Sequence, residues 1–406
     1  MNDASNAFAS RWKELAAVFL KIGAMSYGGP AIMGIMQAEI QEKRGWLSRE
    51  RFLEGLALVN MLPGPAATQL GIFIGYDRAG WRGGALAGLC FMLPAFFIML
   101  GLTLLYTTYG TLPFARDAFY GLGPVVLGIF VVAVVRLGRT ALQGKSQIGI
   151  GIVAFLIAAF TPIGIIATLL LAACAGVALY HSRASGLRAA LVVALIVAAY
   201  HWAAPALSSH GLPAAAAHAR EAVAPGLWEI GTFFLKVGAF TFGGGITVLA
   251  FVENQVVTQL QWLTPQEFLD GLALGQLTPG PILMLAAYVG YKLAGFAGAI
   301  VGGLAIFAPA FVLTLSLAPV LARVRQLAWI RAAMRGTGAA VIGVISVSLV
   351  NLAPHAAPDA FTAVVAMLTI TAMLVWSAGP LPLMLGGALL GLGRRLNVLQ
   401  RLRELA

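Results

Sequence analysis

The sequence is poor in charged residues. Only 10% of its 406 residues are Asp, Glu, Lys or Arg, whereas 60% are hydrophobic, and the mean hydropathy is +0.89. A soluble domain carries about 25% charged residues, so this composition cannot cover a surface that faces water. It excludes a soluble enzyme, a nucleic-acid-binding protein and a disordered scaffold, and most of the surface is expected to face the lipid bilayer.

Residue types that build catalytic and metal centres are also scarce. The two cysteines, Cys90 and Cys174, lie in apolar stretches, and the five histidines show no ligand spacing. Neither a disulfide framework nor a metal site is therefore predicted. Because no nucleophile–base set is visible either, the sequence predicts no enzyme and no cofactor. The N-terminus has no signal-peptide pattern.

The chain does contain an internal repeat. A shift of 215 or 216 residues superimposes its halves, and the matched segments include Lys21–Ala24 on Lys236–Ala239, Trp46-Leu47-Ser48 on Trp262-Leu263-Thr264, and Pro63-Gly64-Pro65 on Pro279-Gly280-Pro281. The least hydrophobic stretch between the halves is 206–225. We therefore predict a first repeat at 1–205, a connector at 206–225 and a second repeat at 226–406.

The basic residues predict how these halves are oriented. Three loops of the first half are basic, around Lys43–Arg51, Arg136–Lys145 and Arg183–Arg188, whereas the matching segments 256–266 and 352–358 contain no Lys or Arg. Basic loops stay in the cytoplasm, so the two halves are expected to insert with opposite orientation. The apolar runs of the first half fit five full crossings, at 83–106, 117–135, 147–160, 162–181 and 187–205. Those of the second half are 296–320, 334–352, 360–376 and a short run at 381–393, and simple counting places the basic tail after it outside the cell, against the charge rule.

Two further apolar stretches in each half are interrupted by glycine and proline, which break helices. We expect broken, re-entrant helical hairpins at these points, in an all-α integral membrane protein with about 10 or more membrane segments. Broken backbone in a membrane is tolerated where it is buried or lines a cavity. Helix N-termini that converge there offer free amides to an anion. The alternative is that these residues only permit close helix packing.

The predicted site combines the breaks with nearby polar groups. Lys21 and Lys236, at matching positions, are candidates for attracting an anion, although both could instead extend to the membrane interface. Glu54 and Asp270 also match, and could relay protons or merely face the loops. The candidate substrate-binding residues are Lys21, Gly28, Gly29, Pro30, Asn60, Pro63, Gly64, Pro65, Thr68, Gln69, Lys236, Gly243, Gly244, Gly245, Gln276, Thr278, Pro279, Gly280 and Pro281.

The paired breaks, separated by Trp-Leu-Ser/Thr and Phe-x-x-Gly, resemble the chromate ion transporter (CHR) family in its long, two-domain form. In the first half the family's Phe-Gly-Gly-Pro motif reads Tyr27-Gly28-Gly29-Pro30. In the second half it reads Phe242-Gly243-Gly244-Gly245, with glycine in place of the proline. Met33 and Asn60 stand where many relatives carry histidine and glutamine, while Gln276 keeps the amide. The resemblance implies export of chromate from the cytoplasm across the bacterial inner membrane by a multi-pass protein, giving chromate resistance.

Alternating access of the two inverted halves is the expected mechanism. Sulfate, a tetrahedral dianion of similar size, is a second expected ligand, and a homodimer is left open. The rival functions are an uptake permease for sulfate or molybdate, a passive anion channel and, from another class, a membrane-integral enzyme that acts on lipid-linked substrates.

Overall fold

The computed structural model describes residues 2–27, 29–60, 62–161, 163–209, 225–241, 251–320 and 327–404, and in these residues all regular structure is helical. The helices of the first half are α1 (Asn2–Met25), α2 (Gly29–Met36, continued by a π-helix at Gln37–Glu42), α3 (Arg49–Val59), α4 (Ala66–Tyr109), α5 (Pro113–Ala141), α6 (Lys145–Phe160), α7 (Ile165–Tyr180) and α8 (Arg183–Ser209).

The second half repeats the order of α1 to α7 in the residues described. Its helices are α9 (Leu227–Ala239), the helical segment 251–259 with a π-helix at Asn254–Gln259, α10 (Pro265–Leu277), a 3₁₀ turn at Ile282–Met284, α11 (Leu285–Leu317), a second 3₁₀ turn at Ala318–Val320, α12 (Ala328–Ala356), α13 (Ala360–Val375) and α14 (Pro380–Glu404).

The surface of the helices is that of a membrane protein. Among the described residues, α4, α5, α12 and the stretch Ile282–Leu317 are long and apolar enough to cross a bilayer, and α6, α7 and α13 are shorter apolar helices. Large apolar side chains face outward, such as Phe97, Phe160 and Trp376, which are 63%, 78% and 72% exposed. Such a surface is stable in lipid and not in water.

The C-terminal helix differs from the expectation. The apolar run 381–393 suggested a short span, but α14 has 25 residues and continues through Arg394 to Glu404. Arginine, leucine and glutamine are good helix formers, so the helix does not end where the apolar run ends.

Two long helices are each bent at an Ala-Gly pair. Gly80 in α4 and Gly295 in α11 have φ values of 66° and 59°, a region that glycine adopts without strain. The bend brings the two arms of each helix into contact at a second pair of glycines. In α4 these are Gly75 and Gly83: a Cβ atom on Gly75 would lie 2.3 Å from the carbonyl oxygen of Gly83, so the contact requires glycine. Each helix is therefore a short arm, 66–78 in α4, joined to a long one.

The two halves are interlocked. Helix α5 of the first half packs against α13 and α14, and its counterpart α12 packs against α6 and α7. Glycines permit both approaches, since a Cβ on Gly121 would lie 2.0 Å from the carbonyl oxygen of Gly387, and a Cβ on Gly336 would lie 2.0 Å from that of Ala172. Equivalent helices thus make equivalent contacts across the halves.

Candidate functional site

The first predicted break lies at the tip of a helical hairpin. Helix α1 ends at Met25 and α2 begins at Gly29, as the glycine and proline residues indicated. The two arms run side by side, because Lys21 Nζ lies 3.6 Å from Glu39 Oε1 and Glu14 Oε1 lies 3.4 Å from Arg44. The chain therefore turns back between the end of α1 and the start of α2.

The second break also forms the tip of a hairpin. Arg51, near the start of α3, places its Nε 2.7 Å from Asp77 Oδ1, near the end of the short arm of α4. The tip therefore lies at 60–65. At matching positions in the second half, Lys292 Nζ lies 2.8 Å from Glu267 Oε1, so the tip there lies at 278–281. The repeat keeps this ion pair but exchanges its charges.

The hairpin tips of one half bind the other half. The Gly64 N–H donates to the carbonyl of Thr241 at 2.6 Å, and the Gly280 N–H donates to the carbonyl of Ser26 at 2.6 Å. Ser26 and Thr241 match in the repeat and end corresponding first hairpin arms. The four residues form two reciprocal junctions in the interior.

Glycine is required at both junctions. Gly64 and Gly280 have φ values of 130° and 97°, and other residues are strained there. Added Cβ atoms would lie 3.2 Å from the Cβ of Ala310 and 2.8 Å from the Cβ of Ala95, respectively. Each tip is thus pressed against the long helix of the opposite half.

The prolines stand beside helix starts. Pro65 is the N-cap of α4 and Pro281 the N-cap of the 3₁₀ turn, with φ values of −72° and −75°, whereas Pro30 is the second residue of α2. The fixed φ of proline suits an N-cap whose ψ is extended. Pro65 offers no side-chain cap to the first turn of α4, and Pro63 and Pro279 complete the tips.

Thr68 and Gln69 lie fully buried in that first turn. The Thr68 hydroxyl has no hydrogen-bond partner, which is uncommon for a buried polar atom. Gln69 instead braces the tip, since its Nε2 donates to the carbonyl of Pro63 at 2.8 Å. Its Oε1 has no partner and, as an acceptor, offers nothing to an anion.

The remaining polar candidates are less closely joined to the tips. Asn60 is exposed, and Gln276 is half-buried. Thr278 is buried, and its hydroxyl donates to the carbonyl of Leu274 at 2.8 Å. Gly29 and Pro30 begin α2, while Gly28 and Gly243, Gly244 and Gly245 lie outside the described residues.

The two lysines differ in their surroundings. Lys21 is exposed and is paired with Glu39, which also binds Lys43 and Arg44 at 3.5 and 3.2 Å. Lys236 is exposed as well, but the repeat places the neutral Gln255 where the first half has Glu39, and no salt bridge to Lys236 is found in the described residues. Lys236 is the better candidate for attracting an anion.

Sequence reasoning missed three features of the site. Ser26 and Thr241 were identifiable, because a hydroxyl residue stands two positions before the first glycine of the break in both halves. Glu253 is only 2% exposed, and a lone acidic residue in an apolar segment was the available signal. Asp270 does not face a loop as one interpretation held; it is buried and accepts hydrogen bonds from Tyr106 and Gln266 at 2.7 and 2.9 Å.

No group of three or more His, Cys, Asp or Glu side chains that could hold a metal occurs in the part of the chain that the structure describes. The free cysteines are both buried. A small cavity lies beside the junction between Gly64 and Thr241. It is lined by apolar side chains only, including Phe240, Phe251 and Val344. The chemistry available at the tips is therefore neutral hydrogen bonding and helix dipoles.

Comparison with known proteins assigns the family. The profile of the family described as chromate transporter matches residues 13–177 and 228–392, two regions offset by the repeat distance. A chromate transport protein of Cupriavidus metallidurans is 33% identical over 381 residues, which cover 93% of this chain and 92% of the relative. One of Pseudomonas aeruginosa is 35% identical over 353 residues, 84% of this chain and 81% of the relative.

A probable chromate transport protein of Synechococcus elongatus is 34% identical over 372 residues, 90% of each chain. No solved structure matches. With the profile matching both repeats and the relatives aligned over most of their length, the chain belongs to the chromate transporter family.

Proposed function

We propose that this protein exports chromate from the cytoplasm across the bacterial inner membrane. The family supplies the oxyanion as substrate, and three relatives carry chromate transport in their names. The observation that carries the proposal for the site is the pair of reciprocal junctions, in which glycine-proline tips of each half bind the other half inside the molecule.

The binding groups proposed are amides and hydroxyls. A helix N-terminus carries roughly half a positive elementary charge and unpaired N–H donors. The uncapped first turn of α4 and the unpartnered Thr68 hydroxyl offer such donors to one oxyanion. Pro281 begins the equivalent turn in the second half, and Lys236 attracts the anion toward the tips.

Export agrees with the energetics of a dianion. Each elementary charge that crosses 100 mV is worth about 2.3 kcal/mol. A dianion that leaves a cell with a negative interior gains about twice that amount, whereas uptake would require compensating cations. The same architecture used for sulfate uptake would need a coupling that overcomes this term.

We further propose that the two repeats, 1–205 and 226–406, are inverted and joined by the connector 206–225. The apolar runs of the first half fit five crossings, and an odd number of crossings would reverse the direction in which the second repeat enters the membrane. Rocking of the repeats about the junctions would then expose the tips alternately to either side. A homodimer stays a prediction.

The direction of transport can be tested in everted membrane vesicles. An exporter accumulates radiolabelled chromate in everted vesicles when the vesicle interior is positive, and the same protein lowers chromate in whole cells. Higher cellular chromate on expression would instead establish an uptake permease. Excess sulfate or molybdate in the same assay reports which tetrahedral anions share the site.

The site is tested by Thr68→Val. Because the Thr68 hydroxyl has no partner in the protein, its removal should not lower the thermal unfolding midpoint, whereas chromate accumulation should fall at least tenfold. Thr68→Ser keeps the hydroxyl and should retain transport. Thr103→Val is the matched control, since that buried hydroxyl of α4 is bound to the carbonyl of Met99 at 2.7 Å. Unchanged transport by Thr68→Val would contradict the site.

A further inference from the structure

A buried carboxyl group lies close to the junction between Gly64 and Thr241, and among the residues that the structure describes no salt bridge balances it. Glu253 is 2% exposed and belongs to segment 251–259, which follows the Gly243–Gly245 break. Its Oε2 atom is buried and has no hydrogen-bond partner. An ionised carboxylate is unfavourable in such a place, and a carboxyl group that holds a proton is tolerated.

The neighbours of Glu253 are hydroxyl groups. Ser348 on α12 and Thr258 on the same segment face the carboxyl group, and the described residues place no Lys, Arg, His, Asp or second Glu against it. Asp270, another buried carboxylate, differs because Tyr106 and Gln266 bind both of its oxygens. Glu253 is thus free to gain or lose a proton without breaking an ion pair.

Its position connects it to the proposed anion site. Phe251, two residues before Glu253, lines the small apolar cavity together with Phe240 and Val344. Phe240 directly precedes Thr241, whose carbonyl receives the Gly64 N–H. Ser348 lies one helical turn beyond Val344. The carboxyl group therefore lies next to the packing that holds the first-half tip.

The first half has no equivalent of this group. The equivalent bonds from Trp46 to Ile40 and from Trp262 to Val256 place Gln37 opposite Glu253, and the repeat places Ala133 opposite Ser348. Corresponding helices otherwise make corresponding contacts, so the packing of the repeat does not require a carboxyl and hydroxyl pair here. A polar pair confined to one half indicates a role that one site per molecule can fill.

We propose that Glu253 is a proton-binding site coupled to the transported anion, an inference that rests on the proposed function. A dianion at the tips favours the protonated form of a nearby carboxylate, so Glu253 takes up one proton when the anion binds and releases it when the anion leaves. Anion and proton together still carry one net negative charge, so a membrane potential that is negative inside still favours their export, by half the energy of the bare dianion. Only the carboxyl O–H bond forms and breaks. By linkage, a proton on Glu253 strengthens anion binding by the same factor.

Calorimetry on the purified full-length protein counts these protons. The heat of chromate binding is measured in two buffers of different ionisation enthalpy, with a protein-free blank because chromate itself takes up protons near neutral pH. The unmodified protein should take up a proton on binding chromate. Glu253→Gln should still bind chromate but lose the proton uptake, and the matched control Asp270→Asn should keep it.

Each outcome is decisive. Equal proton uptake by Glu253→Gln, or its loss in Asp270→Asn alone, would overturn the inference and leave the proposed function standing. Binding that depends on sodium, with no proton uptake, would make Glu253 a sodium ligand and also overturn it. Should Glu253→Gln not fold, Ser348→Ala must shift the pH dependence of chromate binding, and an unshifted profile refutes the assignment. A native protein that does not bind chromate rejects the proposed function itself.

Discussion

Asp359 illustrates how single residues fix the ends of these helices. It is the N-cap of α13 and accepts a hydrogen bond from the Thr362 N–H at 2.9 Å. Its other oxygen accepts from the Tyr120 hydroxyl and pairs with Arg394 at 2.9 Å. The hydrogen bonds from Thr362 and Tyr120, with the charge of Arg394, hold the pKa of this carboxyl well below its usual range.

The low pKa predicts a stability difference that depends on pH. A carboxyl whose pKa is lower in the folded state stabilises the protein above its unfolded pKa of about 3.9, and this contribution is lost as the pH falls through the folded pKa. Asp359→Asn keeps the cap but removes the charge. Its thermal unfolding midpoint should lie below that of the native protein at pH 7, and the two midpoints should converge in acid.

Glu50→Gln is the control for this measurement, because Glu50 is exposed in the first turn of α3 and the substitution should change the midpoint little at any pH. A difference for Asp359→Asn that is as large at pH 3 as at pH 7 would mean that the charge of Asp359 does not stabilise the fold.

At the residue scale the sequence predicted the tips better than their surroundings. Glycine, proline and the repeat identified Gly64, Pro65 and Gly280, because backbone requirements are local and visible in residue type. The unpartnered state of the Thr68 hydroxyl, the burial of Glu253 and the pairing of Lys21 with Glu39 depend on which helices pack together. Those three facts could be established only from the three-dimensional structure.

At the scale of helices, the hairpins are the elements on which the site depends. Arg51 and Asp77 join the two arms of one hairpin, and Glu267 and Lys292 join those of its counterpart with the charges exchanged. The geometry is retained while the sign is not, so the pair holds the arms together irrespective of which arm carries the cation. Helix breaks could be predicted from sequence, but this exchange was hidden because the repeat conserves neither residue.

The exchanged pair predicts a rescue. Arg51→Glu alone brings like charges together beside Glu54, and Asp77→Lys alone does so with Arg51. Because both side chains of the pair are about a third exposed, each single change should cost about 1 kcal/mol or less. The double variant, which copies the second half, should recover most of that loss. Thermal unfolding in detergent measures this, and Arg49→Glu, outside the pair, serves as the control.

Additive losses in the double variant would contradict the role of this ion pair. The mirror experiment, with Glu267→Lys and Lys292→Glu, should recover the ion-pair part of the loss, while the capping box that Glu267 forms with Thr264 stays lost.

At the scale of the whole molecule, the central proposal is the opposite orientation of the repeats. The loops that follow α5 and α12 match in the repeat, and Gln143 and Pro358 are exposed in them. With Cys90 and Cys174 replaced by serine, Gln143→Cys should be shielded from an impermeant maleimide in intact cells, whereas Pro358→Cys should be labelled. Labelling of both from the same side would refute the inverted arrangement.

Much of this architecture could be predicted from the sequence. The internal repeat accounts for the order of the helices, for both hairpins of each half and for the two regions that the family profile matches. The interlocking was not accessible. No periodicity indicates that α5 packs on α13 and α14 while α12 packs on α6 and α7, since lipid-facing and helix-facing surfaces of such segments are equally apolar.

Because the hairpin tips exchange hydrogen bonds, each half needs the other half to satisfy the backbone N–H group at its own tip. Gly64 finds its acceptor at Thr241 and Gly280 finds its acceptor at Ser26, so a repeat produced alone would bury a donor with nothing to receive it, at a cost of about 1–3 kcal/mol. Severing the chain in the connector should therefore be harmless only if both pieces are made together and meet during membrane insertion.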